Sequence, residues 1–120
     1  MHELALAEAI VAIVEQHAAG RRVTRVDVRL GQLRQAVPGA LTFAFELVAD
    51  GTVAEGAELV VEQVTARGDC GRCGQHSELP GFPLRCAACG SLEIEIVSGE
   101  ELSVESFDVV DAQPVAEEAI

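Results

Sequence analysis

Apolar positions recur with two different periods along the chain, and the switches between them mark the elements. From Glu3 to Ala19, the positions Leu6, Ile10, Ile13 and His17 follow helical spacing, flanked by Leu4, Val11 and Val14, while Glu8, Glu15 and Gln16 supply a wetter side. An amphipathic helix that begins almost at the first residue is predicted. Gly20 suits the left-handed position that ends such a helix, and Arg21 and Arg22 fall at its negative end. The period then drops to two. Val26, Val28 and Leu30 share one face and Arg25, Asp27 and Arg29 the other, so a half-buried strand is predicted over 23–30. Pro38 opens a second helix over 38–49, in which Leu41, Phe45 and Val48 form a stripe supported by Phe43, Ala44 and Leu47, and Asp50-Gly51 ends it. A valine-rich strand follows over 57–66. Leu92 to Val97 alternates apolar and acidic residues, Gly99 breaks the run, and Leu102 to Val110 resumes a strand pattern.

Between Cys70 and Cys89 this patterning stops, glycines and prolines accumulate, and few large apolar residues remain. Such a segment builds no core of its own and requires a staple. Cys70-Gly71-Arg72-Cys73-Gly74 and Cys86-Ala87-Ala88-Cys89-Gly90 supply one: two C-x2-C knuckles, each followed by glycine, with twelve residues between them. Each two-residue gap lets both sulfurs point at one ion, and two knuckles make a four-thiolate cage with no open position. Cys70, Cys73, Cys86 and Cys89 are therefore read as a structural zinc(II) site, whose binding supplies roughly 10 kcal/mol of folding free energy. Four cysteines suit iron as well. The 3% aromatic content favours zinc over an electron carrier. His76 has three readings: a ligand of a different site, a hydrogen-bond donor near the sulfurs, or a loop residue, which is the expectation.

The architecture that follows is α+β, a small β-sheet covered by two helices with an inserted zinc-ribbon lobe. The expected division is 1–68 with 91–111 as the α+β domain, 69–90 as the zinc ribbon, and 112–120 as a frayed acidic tail.

Charge narrows the functional classes. Twenty acids against eight bases, all arginine, give a formal charge of −12, which argues against a nucleic-acid binder. No apolar run reaches the roughly 18–20 residues that span a bilayer, and no basic n-region precedes the first helix. Neither membrane insertion nor a signal peptide is expected, and a cytoplasmic location follows. No nucleophile–base pairing is apparent. Without lysine the chain has no P-loop either, so an enzyme is not expected.

The opening Met1-His2-Glu3 can be read as a chelator. The Met1 amine and the His2 backbone nitrogen close a five-membered ring on a metal, and that nitrogen with the His2 imidazole closes a six-membered one. Nickel(II) and copper(II) accept such planar nitrogen sites. The fourth ligand stays open among His76, the Glu3 carboxylate, water and a partner; alternatively the imidazole leaves the plane and the Glu3 nitrogen enters. The competing reading of His2 is an exposed residue at a helix start. His17 reads as a core-edge or capping residue.

Several segments occur together: Met1-His2-Glu3 opening a helix, Arg29-Leu30-Gly31-Gln32-Leu33 after a strand, Pro38 to Phe45, Gly51-Thr52 followed by Glu55-Gly56-Ala57, the two knuckles, and Gly99-Glu100-Glu101-Leu102. In this combination the chain resembles the HypA/HybF family of nickel metallochaperones for hydrogenase maturation, from Met1 to about Val110. The resemblance implies nickel at the amino terminus, carried by His2 with Met1 and Glu3 around it, and zinc on Cys70, Cys73, Cys86 and Cys89. It implies as partners a hydrogenase accessory GTPase and the large subunit of a nickel-iron hydrogenase. Urease maturation proteins are compatible with the same residues. One departure is Cys-Ala-Ala-Cys in the second knuckle, where a proline after the first cysteine is common in the family. The alternative to a carrier is a zinc-ribbon interaction module without nickel transfer.

Overall fold

The computed structural model describes residues 2–110. Met1 and the expected tail at 112–120 lie outside the described residues. Along the chain run α1 (Glu3–Ala18), β1 (Val23–Gly31), a 3-10 turn (Gln32–Arg34), α2 (Pro38–Ala49), β2 (Glu58–Val64), β3 (Arg67–Cys70), β4 (His76–Glu78), β5 (Ile94–Ser98) and β6 (Leu102–Val109). The strands form two three-stranded sheets, ordered β2–β1–β6 and β4–β3–β5. The chain is thus α+β. It divides into two compact units, one containing 2–28, 36–61 and 103–110, the other Arg29–Gln35 and Glu62–Leu102. The unit that holds the cysteines takes in more chain than 69–90.

In the first unit α1 packs on α2. The buried face of α1 is Leu6, Ala7, Ile10, Val11, Val14 and Ala18, with Ile13 38% exposed and His17 exposed. This corrects the predicted Leu6-Ile10-Ile13-His17 stripe. Alanine is neutral in a hydrophobic pattern, yet Ala7 and Ala18 take the inward positions and rotate the face by roughly 70° at 100° per residue. The His17 ring Nδ1 lies 2.9 Å from the Ile13 carbonyl, one turn back along the helix. Ala19, not Gly20, is the left-handed C-cap residue, and Gly20 continues at positive φ.

α2 has the predicted bounds. Pro38 opens it, where a missing N–H costs nothing, and Leu41, Ala44, Phe45 and Ala49 are buried. Val48 is half-buried, and Phe43 and Leu47 are exposed, outside the predicted support of the stripe. Past its end the Thr52 hydroxyl donates to the Ala49 carbonyl at 2.7 Å, and the Gly51 N–H donates to Glu55 Oε1. On β1, Val26 and Val28 are buried as the period-two pattern predicts.

The second unit contains strands that the pattern did not predict. β3 pairs antiparallel with β4 (Gly68↔Ser77, Asp69↔His76) and with β5 (Asp69↔Glu95, Cys70↔Ile94). Its center is tight: a Cβ on Gly68 would stand 2.7 Å from Ile94 Cγ2 and 3.1 Å from Leu79 Cδ1. Two of the segments that carried the resemblance meet here. Gly31 N–H donates to the Glu101 carbonyl and Leu33 N–H to the Gly99 carbonyl, both at 2.7 Å. Arg34 Nε donates to the Glu100 carbonyl, and Gln32 Oε1 accepts the Ala66 N–H, each at 2.9 Å. Residues 31–34 are thereby clasped to Ala66 and to 99–101.

Candidate metal centres

The two knuckles have the same local geometry, which explains the same sequence. Cys70 ends β3, and its N–H donates to the Gln75 carbonyl while Gly74 N–H returns to the Cys70 carbonyl. In the second knuckle Cys86 N–H donates to the Ser91 carbonyl and Gly90 N–H returns to the Cys86 carbonyl. Both following glycines sit at φ 78°, a conformation that a side chain disfavors. The tight turns bring amides onto the first sulfur of each pair. Arg72 and Cys73 N–H groups lie 3.3 Å from Cys70 Sγ, and Ala88 and Cys89 N–H groups 3.3 and 3.5 Å from Cys86 Sγ. The donors are thus the two residues before each glycine, whose own N–H closes the turn.

All four sulfurs lie within 4.8 Å of one another. Across the knuckles Cys70 and Cys89 Sγ are 3.7 Å apart, and Cys73 and Cys86 Sγ 3.6 Å. A tetrahedron with metal–sulfur bonds of about 2.3 Å has edges of about 3.8 Å, close to both of these distances, so the cage suits zinc. Cys70 and Cys86 are buried, Cys73 and Cys89 exposed. The Cys73 and Arg72 N–H groups bring the Cys70 thiol down to about 6, and the Cys89 and Ala88 N–H groups lower that of Cys86. These amides favor thiolate, the form that binds a metal. Among the described residues no other group of three or more His, Cys, Asp or Glu is close enough to hold an ion.

His76 is a strand residue, which corrects the expectation of a loop. It stands opposite Asp69 in the β3–β4 pairing, and its Nδ1 lies 2.6 Å from Asp69 Oδ1.

At the other predicted centre, His2 is the exposed N-cap residue of α1. Its backbone (φ −105°, ψ 13°) is already outside the helix, and its carbonyl accepts the Leu6 N–H at 3.1 Å. Glu3 behaves differently. It is buried, and its Oε2 accepts the Val37 N–H at 2.9 Å, just ahead of α2. The amino-terminal charge, then the Val37 N–H, hold its carboxyl down at about 2. A carboxylate at the positive end of α2 is also favored by the helix dipole. This link between residues 34 apart had no signal in the sequence.

A family model described as hydrogenase/urease nickel incorporation, metallochaperone, hypA matches residues 1–109. The chain belongs to the HypA family. Hydrogenase maturation factor HypA of Geobacter metallireducens is 42% identical over 109 residues, covering 91% of this chain and 99% of that protein. The HypA of Desulfitobacterium hafniense is 42% identical over 113 residues, covering 91% and 98%. The fold matches the solution structure of the Ni metallochaperone HypA from Helicobacter pylori, with a TM-score of 0.67 at 23% identity over 92% of this chain and 98% of that one. HypA proteins are metallochaperones by family, with hydrogenase maturation as their role. The four-cysteine cluster suits zinc, and among the described residues no helix is long and apolar enough to cross a membrane.

Proposed function

We propose that this chain binds one nickel(II) at its amino terminus and delivers it to the large subunit of a nickel-iron hydrogenase, while a structural zinc(II) on Cys70, Cys73, Cys86 and Cys89 holds the second unit together. The observation that carries this reading is the family match, which runs through the amino terminus to residue 109. The geometry of His2 supports it. An exposed imidazole at the N-cap is available to a metal, and its backbone nitrogen can join the Met1 amine in adjacent five- and six-membered chelate rings. Glu3 contributes by position: its carboxylate accepts the Val37 N–H and also meets the amino-terminal charge, so it anchors the start of α1 beside the chelating atoms. An end-of-chain site of this kind releases its metal by stepwise ligand exchange. The chain has no lysine and hence no P-loop, so an accessory GTPase supplies the energy of nucleotide hydrolysis. The site of action is the cytoplasm, where cysteines stay reduced for metal binding. The family description names urease beside hydrogenase, so urease maturation proteins are further partners.

Transfer tests this reading. Nickel-loaded protein mixed with nickel-free hydrogenase large subunit, in the presence of a chelator that captures free nickel, is expected to load the subunit. The His2→Ala protein is expected to leave it empty. Equal loading by both proteins favors the zinc-ribbon interaction module.

A further inference from the structure

α2 turns its two largest exposed side chains away from the core of the first unit. Phe43 and Leu47, one turn apart and on one helical face, are 62% and 60% exposed, whereas Leu41 and Phe45 are fully buried. At 100° per residue the exposed pair lies roughly opposite the buried stripe, so neither belongs to its edge. Glu46 and Asp50, also exposed, flank the pair with negative charge. Toward the start of the helix Gly39 and Ala40 are exposed and small, and a Cβ on Gly39 would meet nothing within 4 Å. This end leaves room for a second backbone to approach.

The same helix begins beside the amino terminus. Its preceding residue, Val37, donates its N–H to Glu3, next to His2. Phe43 lies five residues beyond Pro38, about 7.5 Å further along the axis. Leu47 lies one turn beyond that, so the exposed face runs along the helix whose start is tied to the amino-terminal segment.

We propose that this face of α2 docks a basic amphipathic helix of the protein that exchanges nickel with the terminus. Apolar anchors of the partner cover Phe43 and Leu47, and its lysines or arginines meet Glu46 and Asp50. Charge decides against a second copy of this chain as the occupant. With a formal charge of −12, a copy would bring its own acidic rim against this one. The partner's role in nickel exchange rests on the carrier reading; the docking chemistry does not.

The test uses zinc-loaded protein with its native terminus, at physiological salt. The probes are two labelled 18-residue helical peptides with leucine at helical spacing, one with lysine and one with glutamate at the remaining positions. Binding is read by fluorescence anisotropy, and circular dichroism checks that each variant keeps its helices. The lysine peptide is expected to bind wild type and the Phe82→Ser control alike, since Phe82 is an exposed aromatic of the second unit. The Phe43→Ser/Leu47→Ser double variant is expected to bind it at least tenfold more weakly, and the glutamate peptide is expected to bind none of them well. Nickel binding should be unchanged in the double variant, and peptide binding unchanged in His2→Ala. Loss of the nickel result alone thus counts against the carrier reading and not against the docking face. Equal affinity of the lysine peptide for wild type and the double variant would overturn the proposal, because unspecific charge attraction then accounts for binding. So would a dimer in sedimentation that the double variant abolishes, which makes a second copy the occupant.

Discussion

Stripping zinc with a chelator, or replacing Cys86 by serine, is expected to unfold the cysteine-bearing part of the second unit while α1 and α2 persist. Within 69–90 only Cys70, Leu79 and Cys86 are buried, so a single large aliphatic side chain and two ligands are all that lie inside. Such a segment has no hydrophobic reserve against its chain entropy. Structural zinc supplies on the order of 10 kcal/mol in comparable sites, more than the segment's packing can replace. The loss has a second component in the apo state, because the Arg72, Cys73, Ala88 and Cys89 amides point at sulfurs rather than at carbonyls. Hydrogen exchange reads this directly: protection at those four amides should collapse on chelation, while amides of α1 and α2 keep theirs. Retained protection at the knuckles without metal would show that zinc is dispensable for this fold.

The second large effect is expected at Gly31. A Cβ there would overlap the Gly99 carbonyl and stand 2.6 Å from the Glu100 nitrogen. Both obstacles are backbone and cannot rotate away. Gly31→Ala therefore forces the 3-10 turn off residues 99–101 and breaks the Gly31–Glu101 and Leu33–Gly99 hydrogen bonds. Overpacking of about 1–3 kcal/mol and about 1 kcal/mol for each lost bond put the expected destabilization at roughly 3–5 kcal/mol. Gly39→Ala is the contrast. Its Cβ meets nothing, and removing a helical glycine is expected to stabilize by roughly 0.5–1 kcal/mol. Urea unfolding of zinc-loaded protein measures both. A Gly31→Ala protein as stable as wild type would mean that the clasp tolerates separation.

Those two glycines also mark the boundary of what the sequence discloses. The bounds of α2 were legible because Pro38 and Asp50-Gly51 are local signals, each acting through its own backbone. The burial of Val26 and Val28 was legible because a strand's period is fixed by its geometry. The face of α1 was legible only to within part of a turn, because Ala7 and Ala18 bury without announcing themselves. β3 and β4 escaped altogether: at four and three residues, with glycine, cysteine and serine among them, they are too short for a period to emerge. The clasp at Gly31 joins residues almost 70 apart. Local patterning carries no information about such a contact, although the family resemblance drew attention to both segments.

The candidate centres divide the same way. The cysteine cage was readable because the knuckle is local, spacing fixes which sulfurs converge, and the following glycine fixes the turn. What spacing could not give was the asymmetry within each knuckle, with two amides directed to each of the buried Cys70 and Cys86, while Cys73 and Cys89 are exposed and Cys73 draws only the Gln75 N–H. At the amino terminus the chelate arithmetic needed only the order of the atoms. That Glu3 turns inward to Val37 needed the fold.

The carrier reading depends most on those first atoms. Calorimetric and spectroscopic titration of zinc-loaded protein with nickel(II) tests it most directly, comparing the native terminus, His2→Ala, and a chain acetylated at the Met1 amine. Either change removes a chelate ring. The account predicts about one nickel per native chain, with the absorption of a planar nitrogen site, and no such binding in either altered protein; equal binding by all three would contradict it.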